Sequence, residues 1–440
     1  MTGPLKYIAI FIGFVLADFY IFPVSLTVSE GANSKMLMAA LGLVCLFVNM
    51  SKQKADFINR SFLSLSFWAA AVSLAGYMAV VINATNDYTY ATYIVSMWVW
   101  IMAAYFLMLC LKEIHNGLTV HIIINYVVAV CAFQCLFALL YEYSLSFRES
   151  IDDLHIGLRL VYETKGRMQG LAAALDPAGI RFAASLVLLG YILFDREYDK
   201  NFLRDTIIYL SAFILITVVG DMISRTTAVG AVLALAYWIY KSFAGPSASR
   251  RQLVKIWGIL GLIMFIAIPF ITYKYNTDYQ THENIRFGFE GFFSLVENGT
   301  WEVHSNEILK SMVVFPDNAK TWIIGDGYIE NPSFGRDPFY VGEIYNGYYK
   351  ATDIGYLRFI FYFGLVGLGC FIGFFIYAAK SCMDRFPKHK MLFFMLLMLN
   401  FIVWLKVSTD IFQFFALFLA VPPSFMRGYD DSPALIDSQS

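Results

Sequence analysis

Long apolar runs alternate with short polar turns along this chain, and the runs have the length of membrane spans. A helix needs roughly 20 apolar residues to cross a hydrocarbon core of about 30 Å. Hydropathy places such runs at 6–26, 36–50, 62–83, 93–111, 121–143, 171–194, 205–223, 226–243, 252–272, 354–379, 391–409 and 411–426. Inside hydrocarbon each backbone N–H and C=O is satisfied within its own segment, so the runs read as helices. The pattern predicts an all-α polytopic membrane protein with about twelve transmembrane helices. It divides the chain into residues 1–272 with helices one to nine, a long polar segment 273–350, residues 351–427 with helices ten to twelve, and a short polar tail 428–440. The tail reads as disordered.

Composition agrees with the pattern: 59% of residues are hydrophobic, 18% aromatic and only 15% charged, too apolar for a water-soluble globule. The first run ends in Pro23-Val24 without a small-residue cleavage pattern and reads as a retained helix. The net charge of -1 and the lack of a basic run leave no case for nucleic acid. Charge placement is more telling than its sum. Lys52, Lys54 and Arg60, Lys112, Arg196, Lys200 and Arg204, Lys241, Arg250, Arg251 and Lys255, and Lys380, Arg385, Lys388 and Lys390 follow every second span. By the positive-inside rule those turns face the cytoplasm, with both termini, and 144–170 and 273–350 face outward. Cys131 and Cys135, one helical turn apart, read as core packing, because two thiols alone do not close a metal site.

The outward segment 273–350 is rich in tyrosine, tryptophan and phenylalanine and carries more acid than base. Asn284 to Val296 has the spacing of a helix lying in the interface, Asn306 to Val314 is a second helix candidate, and Gly325 to Pro338 must turn repeatedly. The aromatic excess suits stacking on sugar faces as well as interfacial anchoring.

Arginines at the outer ends of spans are the most informative residues, because the positive-inside rule works against them and a charge near hydrocarbon is costly. Arg225 lies in Ser224-Arg225-Thr226-Thr227 on a turn between two helices, where free backbone N–H groups add to the attraction for phosphate. Arg167, Arg181 and Arg286 occupy other outward positions. Any one of them alone is equally consistent with snorkelling to headgroups or with a carboxylate partner, as Asp176 for Arg181. As a set they point to an anion. Asp221, four residues before Arg225, reads as the residue that positions it. For acid–base work the candidates are Asp353, which opens a span one turn before Arg358, and His304 and His282 in the polar segment.

The order Arg167-Met168-Gln169-Gly170, Asp176-Pro177, Ser224-Arg225-Thr226, Gly325-Asp326-Gly327, Asp353-Ile354-Gly355-Tyr356-Leu357 and Gly364-Leu365-Val366-Gly367 resembles bacterial O-antigen and capsule polymerases of the Wzy type, a pattern shared with the O-antigen ligases of the same superfamily. The resemblance spans roughly residues 160 to 370. It implies a GT-C-like, metal-independent and cofactor-free glycosyltransferase of the bacterial inner membrane, working at the periplasmic face. Its partners would be undecaprenyl-diphosphate-linked oligosaccharide, membrane lipid and a chain-length regulator. The growing glycan would pass from its lipid diphosphate to the non-reducing end of a lipid-linked repeat, with inversion.

On that resemblance Arg167, Arg225 and Arg286 would hold diphosphate; the residues themselves add Arg181 to that set, offer Asp353 and His304 as catalytic candidates, and place Asp221, Arg358 and Tyr356 in support. The ligase pattern has a histidine before the late helix where this chain has Thr352-Asp353, which favours polymerase over ligase. The alternatives are a ligase of the same superfamily, or a lipid-linked oligosaccharide flippase or transporter, although transporters usually show repeated halves and short loops.

Overall fold

The structure, a computed structural model, describes residues 3–27, 31–51, 60–154, 158–162, 167–195, 201–244, 247–333, 337–345 and 347–427. Lys52, Lys54, Arg196 and Lys200 of the basic turns, residues 334–336 of the turning region and the tail 428–440 lie outside the described residues.

The helices are, in chain order, α1 (Pro4–Ile21), α2 (Ser34–Ser51), α3 (Arg60–Asn83), α4 (Tyr93–His115), α5 (Val120–Tyr143) and α6 (Leu145–Asp152). They continue with α7 (Leu175–Asp195), α8 (Phe202–Ile223), α9 (Thr227–Ala244), α10 (Ser247–Thr277), α11 (Tyr279–Gly288) and α12 (Glu290–Asn298). The last are α13 (His304–Ser311), α14 (Ala319–Ile323), α15 (Gly355–Arg385), α16 (Lys390–Val403) and α17 (Phe412–Leu419). Among the described residues the only sheet is an antiparallel pair, Ser25–Leu26 with Leu158–Arg159. Among the described residues nine helices are long and apolar enough to cross a membrane: α1 to α5, α7, α8, α10 and α15. The chain is therefore an all-α, multi-pass membrane protein. The apolar runs at 226–243, 391–409 and 411–426 form shorter apolar helices, Thr227–Phe243 within α9, α16 with 14 residues and α17 with 8.

The chain forms two compact units, one of residues 1–34 and 119–302, the other of 35–118 and 303–440, so the boundary falls inside the long polar segment. In the first unit α7 is the core, with 83% of its span buried, against 6% for α10. Small residues allow this. A Cβ on Gly190 would strike Ala234, and one on Gly230 would strike the backbone of Ala183, so α7 and α9 meet almost backbone to backbone. The Trp238 indole N–H donates to the Gly190 carbonyl at 2.9 Å across that seam. Cys131 and Cys135 are both buried in α5.

Where the sequence pattern predicts one interfacial helix over Asn284–Val296, the chain forms two, α11 and α12, broken at Phe289 (φ -108°, ψ 25°). Gly288 packs its backbone against Met222 there, so the chain turns before the apolar face is complete. The second predicted helix is α13, displaced toward the N-terminus.

In the second unit α15 is the organising element, and it is broken. Phe363 and Gly364 are non-helical, Gly364 at φ 66° and ψ -172°, a region essentially restricted to glycine. A Cβ there would collide with the Ile323 carbonyl at the end of α14. The break exposes two carbonyls, and the polar segment supplies their donors. Asp326 N–H donates to the Phe361 carbonyl at 2.6 Å and Gly327 N–H to that of Tyr362 at 3.0 Å. Tyr90 packs against Phe359, Tyr362, Phe363 and Phe371 beside the break, and the Tyr362 hydroxyl donates to the Asp87 carbonyl at 2.7 Å.

Candidate functional site

In the first unit a pair of hydroxyls sets the Ser224-Arg225-Thr226 turn. Ser224 Oγ and Thr226 Oγ1 both donate to one carboxylate oxygen of Asp176, at 2.9 and 2.6 Å. Gly179, one turn further along α7, leaves room for that turn, since a Cβ there would meet Ser224 Oγ and Thr226. Asp176 therefore holds the two neighbours of Arg225, a use that its spacing from Arg181 does not announce. Arg225 projects from the fixed turn. Its Nε donates to the Phe287 carbonyl at 2.9 Å, its guanidinium lies 4.3 Å from the Phe287 ring centroid, and it pairs with Glu290 at 2.8 Å.

Arg167 reaches the same ring, 5.1 Å from its centroid. Two arginines some sixty residues apart in sequence thus share one aromatic platform. Burial pushes the Arg225 guanidinium below the ordinary arginine value, Glu290 and Asp221 oppose that shift, and the charge of Arg167 adds to it. Two like charges held this close favour a multiply charged anion between or beside them. Asp221 is buried, and its charge favours the charged form of Arg225.

Arg286 belongs to the same neighbourhood but is engaged elsewhere. It makes a two-point pair with Glu297 at 2.9 and 2.8 Å, lies over Phe293, and lines a small cavity of about 190 Å³ with Glu290. The Glu297 carboxylate raises the Arg286 guanidinium further and is itself held below the usual carboxylate range. Arg181 lies within α7 and stacks on Phe22 at 5.3 Å. No protein-family profile, curated protein or solved structure matches the chain. The resemblance to polysaccharide polymerases is carried by the quoted residues alone.

The second unit holds the other site residues. Arg358, buried in the first turn of α15, pairs with Asp353 at 3.3 Å and Glu330 at 3.4 Å, donates to the Ile329 carbonyl at 3.0 Å and stacks on Tyr348 at 4.3 Å. The Asp87 carboxylate accepts from the N–H groups of Ile329 and Glu330 at 2.8 and 3.0 Å, which fixes the strand of chain that Arg358 grips. Asp353 is thus one of several partners of Arg358. Tyr356 donates its hydroxyl to the Phe401 carbonyl at 3.0 Å. His304 is exposed at the first position of α13.

The same unit contains a cleft of about 840 Å³. Asp326 lines it, accepting from Thr321 Oγ1 at 2.6 Å and Tyr349 OH at 3.2 Å and pairing with Lys320 at 3.2 Å. Neither Asp353 nor His304 lines it. Sequence reading singles out neither Phe287 nor Glu290, because a phenylalanine among many and a glutamate in an acidic segment carry no signal of their own. Asp326 was visible only as the middle of Gly325-Asp326-Gly327.

Proposed function

We propose that the protein is a polysaccharide polymerase of the bacterial inner membrane, acting at the periplasmic face on undecaprenyl-diphosphate-linked oligosaccharides. The observation that carries the reading is the pairing of Arg167 and Arg225 on the ring of Phe287, with the two neighbours of Arg225 held by Asp176 and its guanidinium paired with Glu290. In the reaction, an acceptor hydroxyl oxygen forms a bond to the anomeric carbon of the donor. The bond from that carbon to the diphosphate oxygen breaks, and the electron pair leaves with the diphosphate. The hydroxyl proton passes to a carboxylate or to solvent. Negative charge on the diphosphate grows as the bond breaks, so fixed guanidinium groups in a poorly hydrated site stabilise the transition state more than the ground state.

Membrane lipid carries the substrate, and a chain-length regulator is the partner such an enzyme would have. The deciding experiment is extension of a purified lipid-linked repeat unit by the purified protein, with product length and anomeric configuration read directly. Arg225→Ala should lower the rate by about 10²–10³, as loss of one preorganised charge donor does elsewhere. No chain lengthening by the unaltered protein would sink the reading, and lengthening at the normal rate in the variant would sink the arginine pair as its diphosphate site.

One observation favours a second reading. α15 is broken at Phe363–Gly364, and broken helices are characteristic of transporters. A lipid-linked oligosaccharide transporter would move labelled substrate between leaflets in vesicles and would leave its chain length unchanged.

A further inference from the structure

The cleft of the second unit differs chemically from the arginine pair. Among its described lining residues two lysines, Lys320 and Lys350, face two aspartates, Asp317 and Asp326, so the formal charges cancel. It therefore offers a diphosphate no net attraction. Its walls are rings. Tyr328 meets Tyr340 edge to face at 5.6 Å and Tyr349 at 5.4 Å, and Tyr349 meets Phe361 at 6.0 Å. Those rings rest on a small core with Ile354 and Leu357, so they are fixed rather than adaptable. At the rim Phe339 is 82% exposed.

The polar groups between the rings are also fixed. Asp326 is held by Thr321, Lys320 and Tyr349, and Lys320 Nζ additionally donates to Asn83 Oδ1. Lys350 Nζ lies over the rings of Tyr345 and Tyr349 at 5.6 and 5.7 Å. Fixed donors and acceptors of balanced charge, set between aromatic faces, match a ligand that has apolar C–H faces and many hydroxyls. The volume lies within the range of roughly 300–1,000 Å³ usual for ligand sites.

We infer that this cleft is a glycan-binding subsite for an uncharged, hydroxyl-rich oligosaccharide, with Phe339 and Tyr340 as stacking faces and Asp326 and Lys320 as the hydroxyl-reading pair. Binding stands on the cleft alone. The choice of glycan, the repeat unit itself, rests on the polymerase reading.

The test uses the full-length protein in lipid nanodiscs. The probe is the repeat-unit oligosaccharide of the strain carrying the gene, freed of lipid and phosphate, with inorganic pyrophosphate as a separate ligand. Saturation-transfer NMR and titration of tryptophan fluorescence should show saturable glycan binding. Phe339→Ala combined with Tyr340→Ala should weaken it by about tenfold, the loss expected from two aromatic contacts. Phe339→Ala alone, at an exposed position that leaves packing intact, should weaken it by a smaller factor. Pyrophosphate affinity should be unchanged in both variants. Absence of saturable glycan binding, or equal affinity in the double variant, overturns the inference. Glycan bound as expected while the unaltered protein extends no chain would overturn the polymerase reading and keep the cleft. Extension by a protein that binds no glycan would do the reverse.

Discussion

The backbone N–H of Asp326 donates to the carbonyl of Phe361 at 2.6 Å, joining the polar segment to the break in α15. A helix broken in an apolar setting has to find donors for the carbonyls that it releases. Asp326 and Gly327 provide them, and the Asp326 side chain is left facing the cleft. Gly364 is the hinge of this arrangement. Gly364→Ala should destabilise the protein by about 2 kcal/mol or more through backbone strain alone, before any clash with Ile323. Thermal unfolding in detergent should show a lower midpoint than for Gly369→Ala, where a Cβ meets nothing within 4 Å.

Asp176→Ala removes the acceptor of two hydroxyls that flank Arg225. Each hydrogen bond to a charged acceptor contributes roughly 1.5–3 kcal/mol. Part of that loss should appear as lower stability and part as weaker binding of pyrophosphate, measured by calorimetry. Retained pyrophosphate affinity in a folded Asp176→Ala protein would show that Arg225 does not need the turn held.

Glu290 competes with any anion for Arg225. Glu290→Gln should therefore tighten pyrophosphate binding several-fold at low ionic strength, with the gain shrinking as salt screens the charges. A weakened affinity would mean that Glu290 aims the guanidinium rather than occupying it.

The pairing of Asp353 with Arg358 makes a positioning role the expected one. Asp353→Asn should retain chain extension to within about tenfold, whereas loss of a general base costs 10²–10⁴. A loss in the larger range with an unchanged melting midpoint would restore Asp353 as the base. Arg358→Ala should be the more damaging change to stability, by about 1–3 kcal/mol, because it leaves Asp353 and Glu330 close together without their common cation.

Membrane class and most helix positions were legible in the sequence, because hydropathy over some twenty residues is a strong, local signal. The ends of α16 and α17 were not, since a hydropathy window runs on past Val403 and Leu419, where turns at 404–406 and the Pro422-Pro423 pair end the helices. The break in α15 escaped the same way. Phe363-Gly364 looks like ordinary span sequence, and only the carbonyl donors of Asp326 and Gly327, nearly forty residues earlier, explain it. At the candidate site, the arginines announced themselves as charges where charge is disfavoured. Their arrangement depends on Phe287 and Asp176, whose importance comes from contacts between elements distant in sequence.

The course of the chain between its two units also bears on how the protein is made. The second unit consists of 35–118 and 303–440, so α2 to α4 emerge long before the helix against which α3 packs. At ~5–20 residues per second, synthesis from residue 119 to the end of α15 at Arg385 takes about 13–53 s. For that interval three inserted helices stand in the bilayer without their permanent neighbour, which makes them the part of the nascent chain most in need of a holding factor.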